Sequence, residues 1–326
     1  MKGLKIFSLW LVPCFVLANT GEELTALARQ AVNQQAYTRA ETYYQQALNL
    51  YAQQADSQAQ QIEVLLQLAV LAYQQGQYTQ ATPLLKQGLT LCETTISDTD
   101  NCLSILHNLG AAYQAQDDFS AAEPFYSRLL SAQEARYGVQ SVELVSTLSA
   151  LAVLYYQQGR YPEARTAYQH AIQLQIKQGD TRALLPLLEA LAELQFTRFH
   201  DLNAAKTLYE QILLLRDSQQ GSLELADVLN LLGLIHFQQA DYSRAELFYQ
   251  RALALREKLL GAEHPDVAVS LNNLAKLYMM QANYIQAKPL YERAIQILEK
   301  QAIPNNPILR KVQENLALLI TQINKK

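Results

Sequence analysis

A Leu followed by Ala or Gly recurs along this chain at Leu27-Ala28, Leu68-Ala69, Leu109-Gly110, Leu151-Ala152, Leu191-Ala192, Leu232-Gly233, Leu274-Ala275 and Leu316-Ala317. The step is about 40 to 42 residues, a period that marks a stack of helical units. An aromatic follows each of the first seven pairs at a near-constant distance: Tyr37, Tyr78, Phe119, Tyr161, Tyr242 and Tyr284, with Leu202 in the fifth unit. Three residues later stands an Ala every time, at Ala40, Ala81, Ala122, Ala164, Ala205, Ala245 and Ala287. Another large residue closes each unit, at Tyr44, Leu85, Tyr126, Tyr168, Tyr209, Tyr249 and Tyr291. Small residues at fixed places let two antiparallel helices approach, and large ones fill the space beside them. One such unit cannot bury its own apolar face, so stability must come from stacking. The pattern predicts seven repeats over about 21–304 and a closing helix over 307–323 with Leu309, Val312, Leu316 and Leu319 turned inward. No stretch is left for a second domain within 19–326.

These residues resemble the tetratricopeptide repeat, whose order is Leu-Gly/Ala, Tyr, Ala, aromatic, Ala. The period here exceeds the usual 34 by about seven or eight residues, which adds one turn to each helix at about 3.6 residues per turn. The stretch ALREKLLGAEHPDVAVSLNNLAKLYMMQANYIQAKPLYERAIQIL, with Arg256-Glu257-Lys258, Gly261, His264-Pro265-Asp266-Val267-Ala268 and Leu271-Asn272-Asn273-Leu274-Ala275, is similar to the long repeat of kinesin light chains. The resemblance implies an all-α, right-handed superhelical solenoid of antiparallel helix pairs that binds other proteins. It does not bring motor function, because no amino-terminal heptad segment is present to bind a kinesin heavy chain.

The amino terminus points to export. Lys2 and Lys5 precede an apolar run from Ile6 to Ala18 that ends Val16-Leu17-Ala18, the order of a secretory signal peptide. That run is about 13 residues and holds Pro13, whereas a spanning helix needs about 20. Cleavage after Ala18 is expected, giving a periplasmic or secreted chain; a retained anchor is the alternative. Cys14 follows Pro13 rather than a small residue, which argues against a lipoprotein.

Composition narrows the function. The formal net charge is −4, only 17% of residues are charged, and no basic block occurs, so nucleic acid is not an expected partner. Cys92 and Cys102 flank a polar loop between two helices, and in an oxidising compartment they are expected to pair as a disulfide. Two buried free thiols are the alternative. Zinc is disfavoured because no His or second Cys pair stands at ligand spacing. The five histidines lie in five different repeats, and no HExxH, CxxC, GxSxG or phosphate-binding glycine loop occurs. His236, where the repeat carries Tyr, reads as a core residue rather than a ligand. No catalysis, cofactor or metal is expected.

The turns inside the repeats have separate signals. Gly76 and Gly159 can end the first helix in the left-handed conformation. Repeats three, five, six and seven have no Gly at that place and instead put Asp118, Asp201, Asp241 or Asn283 next to it; Asx residues tolerate the left-handed conformation and cap the next helix. Repeat one has only Gln35-Ala36, which predicts its weakest turn. Repeat five carries one extra residue before Leu202, and Pro186 early in its first helix predicts a shortened helix or altered curvature.

The resemblance implies that first helices line a groove. Counting from each pair, the residues two before, two after, five after and six after should face it. These are Leu66, Val70, Tyr73 and Gln74 in repeat two, and Ser149, Val153, Tyr156 and Gln157 in repeat four. Phe196 belongs to repeat five; Asn230, Leu234, Phe237 and Gln238 to repeat six; Asn272, Lys276, Met279 and Met280 to repeat seven. Apolar anchors alternating with amides suit an extended or helical peptide. Inward positive charge comes only from Arg29 and Lys276, too little for a cationic clamp on a peptide carboxylate. The rings at Tyr73, Tyr156, Phe196 and Phe237 have an alternative role in packing against neighbouring helices. The partner is then a peptide or segment of another envelope protein, or alternatively a protein of a neighbouring or host cell.

Overall fold

The computed structural model describes residues 20–95, 100–217, 221–301 and 303–324. The expected signal peptide, 1–18, lies outside them. The described residues form fifteen helices: α1 (Gly21–Asn33), α2 (Tyr37–Tyr51), α3 (Gln58–Gln74), α4 (Tyr78–Thr95), α5 (Asp100–Gln114), α6 (Phe119–Tyr137), α7 (Val145–Gln157), α8 (Tyr161–Gln178), α9 (Thr181–Thr197), α10 (Leu202–Asp217), α11 (Leu223–Gln238), α12 (Tyr242–Leu260), α13 (Pro265–Met280), α14 (Tyr284–Lys300) and α15 (Pro307–Asn324). They fall into two compact units, Met1–Gln158 and Gly159–Lys326. Within each unit, consecutive helices pack pairwise as a tetratricopeptide array.

The small residues are where the helices meet. All seven repeat alanines, Ala40 to Ala287, are wholly buried, and the large residue four positions after each is at most 6% exposed. Burial pushes the Tyr126 and Tyr209 phenols up to about 12, because the phenolate would lose its hydration. Two of the pairs need glycine. A Cβ on Gly110 would lie 2.7 Å from the Tyr126 ring, and one on Gly233 would lie 2.6 Å from Tyr249. In these two repeats the helices sit closer than an alanine allows.

The turns divide the two roles between adjacent residues. Asp118, Asp201, Asp241 and Asn283 accept hydrogen bonds from the backbone N–H groups of Ala121, Ala204, Arg244 and Gln286, which is capping. The left-handed position is the residue before each cap: Asp117, His200, Ala240 and Ala282 have φ of 58°, 53°, 59° and 57°. Gly76 and Gly159 occupy that position in repeats two and four. In repeat one Gln35 takes it at φ 58°, and Ala36 gives no side-chain cap. The expected shortening of repeat five does not occur. Asp180 caps α9 through the N–H groups of Arg182 and Ala183, and the helix continues through Pro186 to Thr197.

A further regularity lies near the end of each second helix. The residue at one fixed register there is fixed against a first helix, in most repeats that of the next repeat, and each repeat uses different chemistry. In repeat one the carbonyl of Tyr51 accepts from Gln61 at 3.2 Å. In repeat two Cys92 is bonded to Cys102, with Cα atoms 5.9 Å apart. In repeat three Gln133 accepts from Thr147 at 2.7 Å. In repeat four Gln175 donates to the carbonyl of Asp180 at 3.3 Å. Arg216 of repeat five, at the same register of its helix, instead reaches back to Glu189 on α9 of its own repeat at 3.1 Å. Arg256 of repeat six, 7% exposed, spans three helices, donating to Asp227 on α11 at 2.6 Å and Ser270 on α13 at 2.7 Å. In repeat seven Leu298 sits in an apolar core with Val312 and Leu319, both fully buried. Leu309 and Leu316 pack against the same core, so α15 covers the last repeat.

Candidate functional site

The groove positions divide between the two units. In Met1–Gln158, Val70 and Tyr73 of α3 are half-buried against the core, and Tyr73 meets Tyr78 edge-on at 5.0 Å. Leu66 is different. It is 5% exposed and shares a core with Leu103 and Leu106 of α5. A large side chain two before the pair is enclosed by the neighbouring first helix, so Leu66 is a packing residue. On α7, Val153 and Tyr156 are half-buried, and the Ser149 hydroxyl donates to the carbonyl of Val145 at 2.7 Å. Gln74 and Gln157 are exposed. The inward cation Arg29 pairs with Glu63, so its charge is offset.

In Gly159–Lys326 the same positions hold Phe196, Leu234 and Phe237, all half-buried. The Lys276 ammonium stands 5.4 Å above the centre of the Phe237 ring, a cation–π placement. Asn230 accepts from Asn273 at 2.8 Å, and Asn272 accepts from Asn315 at 2.9 Å. Each pair joins successive first helices, and it leaves the Nδ2 groups of Asn230 and Asn272 as donors for something else. Met279 is a correction of the same kind as Leu66: it is 6% exposed in the core that includes Leu319 of α15. Met280 beside it is exposed.

The expectation also passed over part of repeat five. The offsets that select Phe196 also select Glu189, Glu193 and Thr197. All four line one cleft of about 470 Å³, together with Glu224, Asp227, Val228 and Leu231 of α11 and Tyr209 and Arg216 of α10. The signal was present in the register of Leu191, but the irregular spacing of that repeat obscured it. The partners of the groove amides, Asn273 and Asn315, stand one residue before their pairs, a position not counted as inward.

The remaining chemistry is sparse. No group of three or more His, Cys, Asp or Glu could hold a metal ion among the described residues. His236 is 2% exposed and stacks on Phe248 at 5.4 Å, and burial holds its imidazole pKa below the ordinary value. It is packed as a core residue. No described helix is long and apolar enough to cross a membrane.

Comparison with known proteins fits this architecture. The human protein O-mannosyl-transferase TMTC1 is 32% identical over 151 residues, which is 46% of this chain and 15% of that protein. The chain thus spans a small part of that relative. Among solved structures, the C-terminal part of a TPR repeat-containing protein from Cytophaga hutchinsonii has a TM-score of 0.65 at 13% identity, over 88% of this chain and 98% of the other. BtubC (BKLC) from P. vanneervenii has a TM-score of 0.51 at 24% identity, over 77% of this chain and 96% of that one. Tetratricopeptide repeat signatures match residues 62–100, 101–177, 143–218 and 224–300. The chain belongs to the tetratricopeptide repeat family.

Proposed function

We propose that the chain is exported and, in the cell envelope, holds a peptide or segment of another protein along its first helices, without catalysing a reaction. The observation that carries this reading is that the first helices present half-buried apolar side chains, joined on α11 and α13 by asparagines whose donors are not consumed. Val70, Tyr73, Val153, Tyr156, Phe196, Leu234 and Phe237 offer apolar contact. Asn230 and Asn272 are oriented by Asn273 and Asn315 to offer N–H groups to the carbonyls of a bound backbone. Such side chains act as anchors when a partner completes their burial. Export is supported by the order of charge, apolar run and small residue in 1–18, and by a Cys92–Cys102 bond suited to an oxidising compartment.

Two measurements test the two parts. Amino-terminal sequencing of protein recovered from the envelope fraction is expected to begin at Asn19; intact Met1 on a cytosolic protein would overturn export. With the mature chain as bait, Tyr156→Ser/Phe237→Ser is expected to lose its envelope partner while keeping its helical circular dichroism. Retention of the partner by that folded variant would move binding off these helices.

A further inference from the structure

The cleft between α9 and α11 differs from the rest of the first-helix surface in its charge. Its floor is apolar: the Phe196 ring, Val228 and Leu231. Its rim carries four carboxylates, Glu189, Glu193, Glu224 and Asp227, against the single lining guanidinium of Arg216. Two of these carboxylates are already engaged, Glu189 by Arg216 and Asp227 by Arg256. The cleft therefore already shows guanidinium groups held by its acids. Glu193 and Glu224 form no ion pair among the described residues; neighbouring Ser222, the Glu224 backbone and the more distant Arg216 charge hold the Glu224 carboxyl below the usual range. Two carboxylates beside a low-dielectric wall focus a negative potential into the opening. That potential repels an acidic segment and attracts a cation. An arginine or lysine matches both parts of the cleft, since its stem can lie on apolar surface while its head stays at the polar rim.

Resting on the function proposed above, we infer that this cleft receives an arginine- or lysine-bearing segment of the partner polypeptide, its stem over Phe196 and Leu231 and its cationic head between Glu193 and Glu224. The cleft thus sets the polarity of the partner. This is the opposite preference from a clamp built of lysines for a peptide carboxylate.

The test uses the full chain and two short fluorescein-labelled peptides repeating Gly-Leu-Arg and Gly-Leu-citrulline, titrated by fluorescence anisotropy. Citrulline keeps the shape of arginine and removes its charge. The arginine peptide is expected to bind about tenfold more tightly, with the advantage shrinking as salt is raised. Glu193→Gln/Glu224→Gln should reduce that advantage to less than about twofold at unchanged helicity. Equal affinity of the two peptides for the unaltered chain overturns the inference, as does no binding by either, or an advantage that persists in the double variant. The groove reading fails separately. Equal binding of both peptides that is lost in Phe196→Ala leaves the groove standing without its charge preference; equal binding that survives Phe196→Ala removes both.

Discussion

In the unit Met1–Gln158, α4 is tied to α5 by the Cys92–Cys102 bond, and α6 to α7 by Gln133 and Thr147. In the unit Gly159–Lys326, the same register near the end of a second helix carries Arg216 and Arg256, which reach Glu189, Asp227 and Ser270. The geometric problem is the same in both: the end of a second helix must be fixed against a first helix. A covalent bond and neutral hydrogen bonds answer it in the first unit; in the second, charged hydrogen bonds from Arg216 and Arg256 stand beside a neutral one from Gln175 and the apolar contact of Leu298. The array therefore constrains where a lock stands and leaves its chemistry free. Because contacts in such a fold run only between neighbours, each lock should act locally.

The largest expected effect is on the covalent lock. Reducing Cys92–Cys102 opens a loop of about eleven residues and should cost about 2–3 kcal/mol in the chain-entropy model. Amide hydrogen exchange should rise in α4 and α5 while α11 to α13 stay protected. Equal loss of protection in both units would show that the locks are not local. Next comes Arg256→Ala, which removes a nearly buried side chain with hydrogen bonds to Asp227 and Ser270 and should cost about 2 kcal/mol. Its exchange signature should be the mirror image, confined to α11, α12 and α13. Most of that cost should persist in high salt, because Asp227 is exposed and screening touches only the surface end of the interaction.

These differences mark the boundary of what the sequence makes legible. The Leu-small pairs, the repeat alanines and the closing tyrosines are read directly, because each must fill or vacate volume between helices and only a few residue types can. The caps at Asp118, Asp201, Asp241 and Asn283 are legible for the same reason, through one specific hydrogen bond. The lock register is harder to see. Tyr51, Cys92, Gln133, Gln175, Arg216, Arg256 and Leu298 share a position and no chemistry, so a pattern of residue types passes over them. Leu66 and Met279 escaped for another reason: helix periodicity gives the direction of a side chain but not whether the next helix covers it. Pro186 does not shorten α9, since the capped turn at Asp180 and the packing of Leu187, Leu188 and Leu191 hold the helix together around it.

A control should act on both units alike. Gly110→Ala and Gly233→Ala each push a methyl group into a buried tyrosine ring and should cost about 1–3 kcal/mol by overpacking. Thermal melts of the two variants should shift by similar amounts. A large effect at one and none at the other would mean that the helix spacing differs between repeats three and six. The smallest effect has the opposite sign. Ala282→Gly relieves a left-handed alanine at φ 57° and should stabilise the last repeats by up to about 1 kcal/mol, reduced by the entropy glycine adds to the unfolded chain. Gly76→Ala, at φ 74° in the first unit, should do the reverse.

The central claim is that a partner lies along the first helices. Photo-crosslinking tests it most directly, with p-benzoylphenylalanine placed at Phe237 on α11 in one variant and at Leu247, exposed on α12, in another. After irradiation in intact cells, the account predicts a protein adduct from Phe237→p-benzoylphenylalanine and none of the same mass from the Leu247 variant. The same adduct from Leu247 alone would contradict the account and place binding on the second helices.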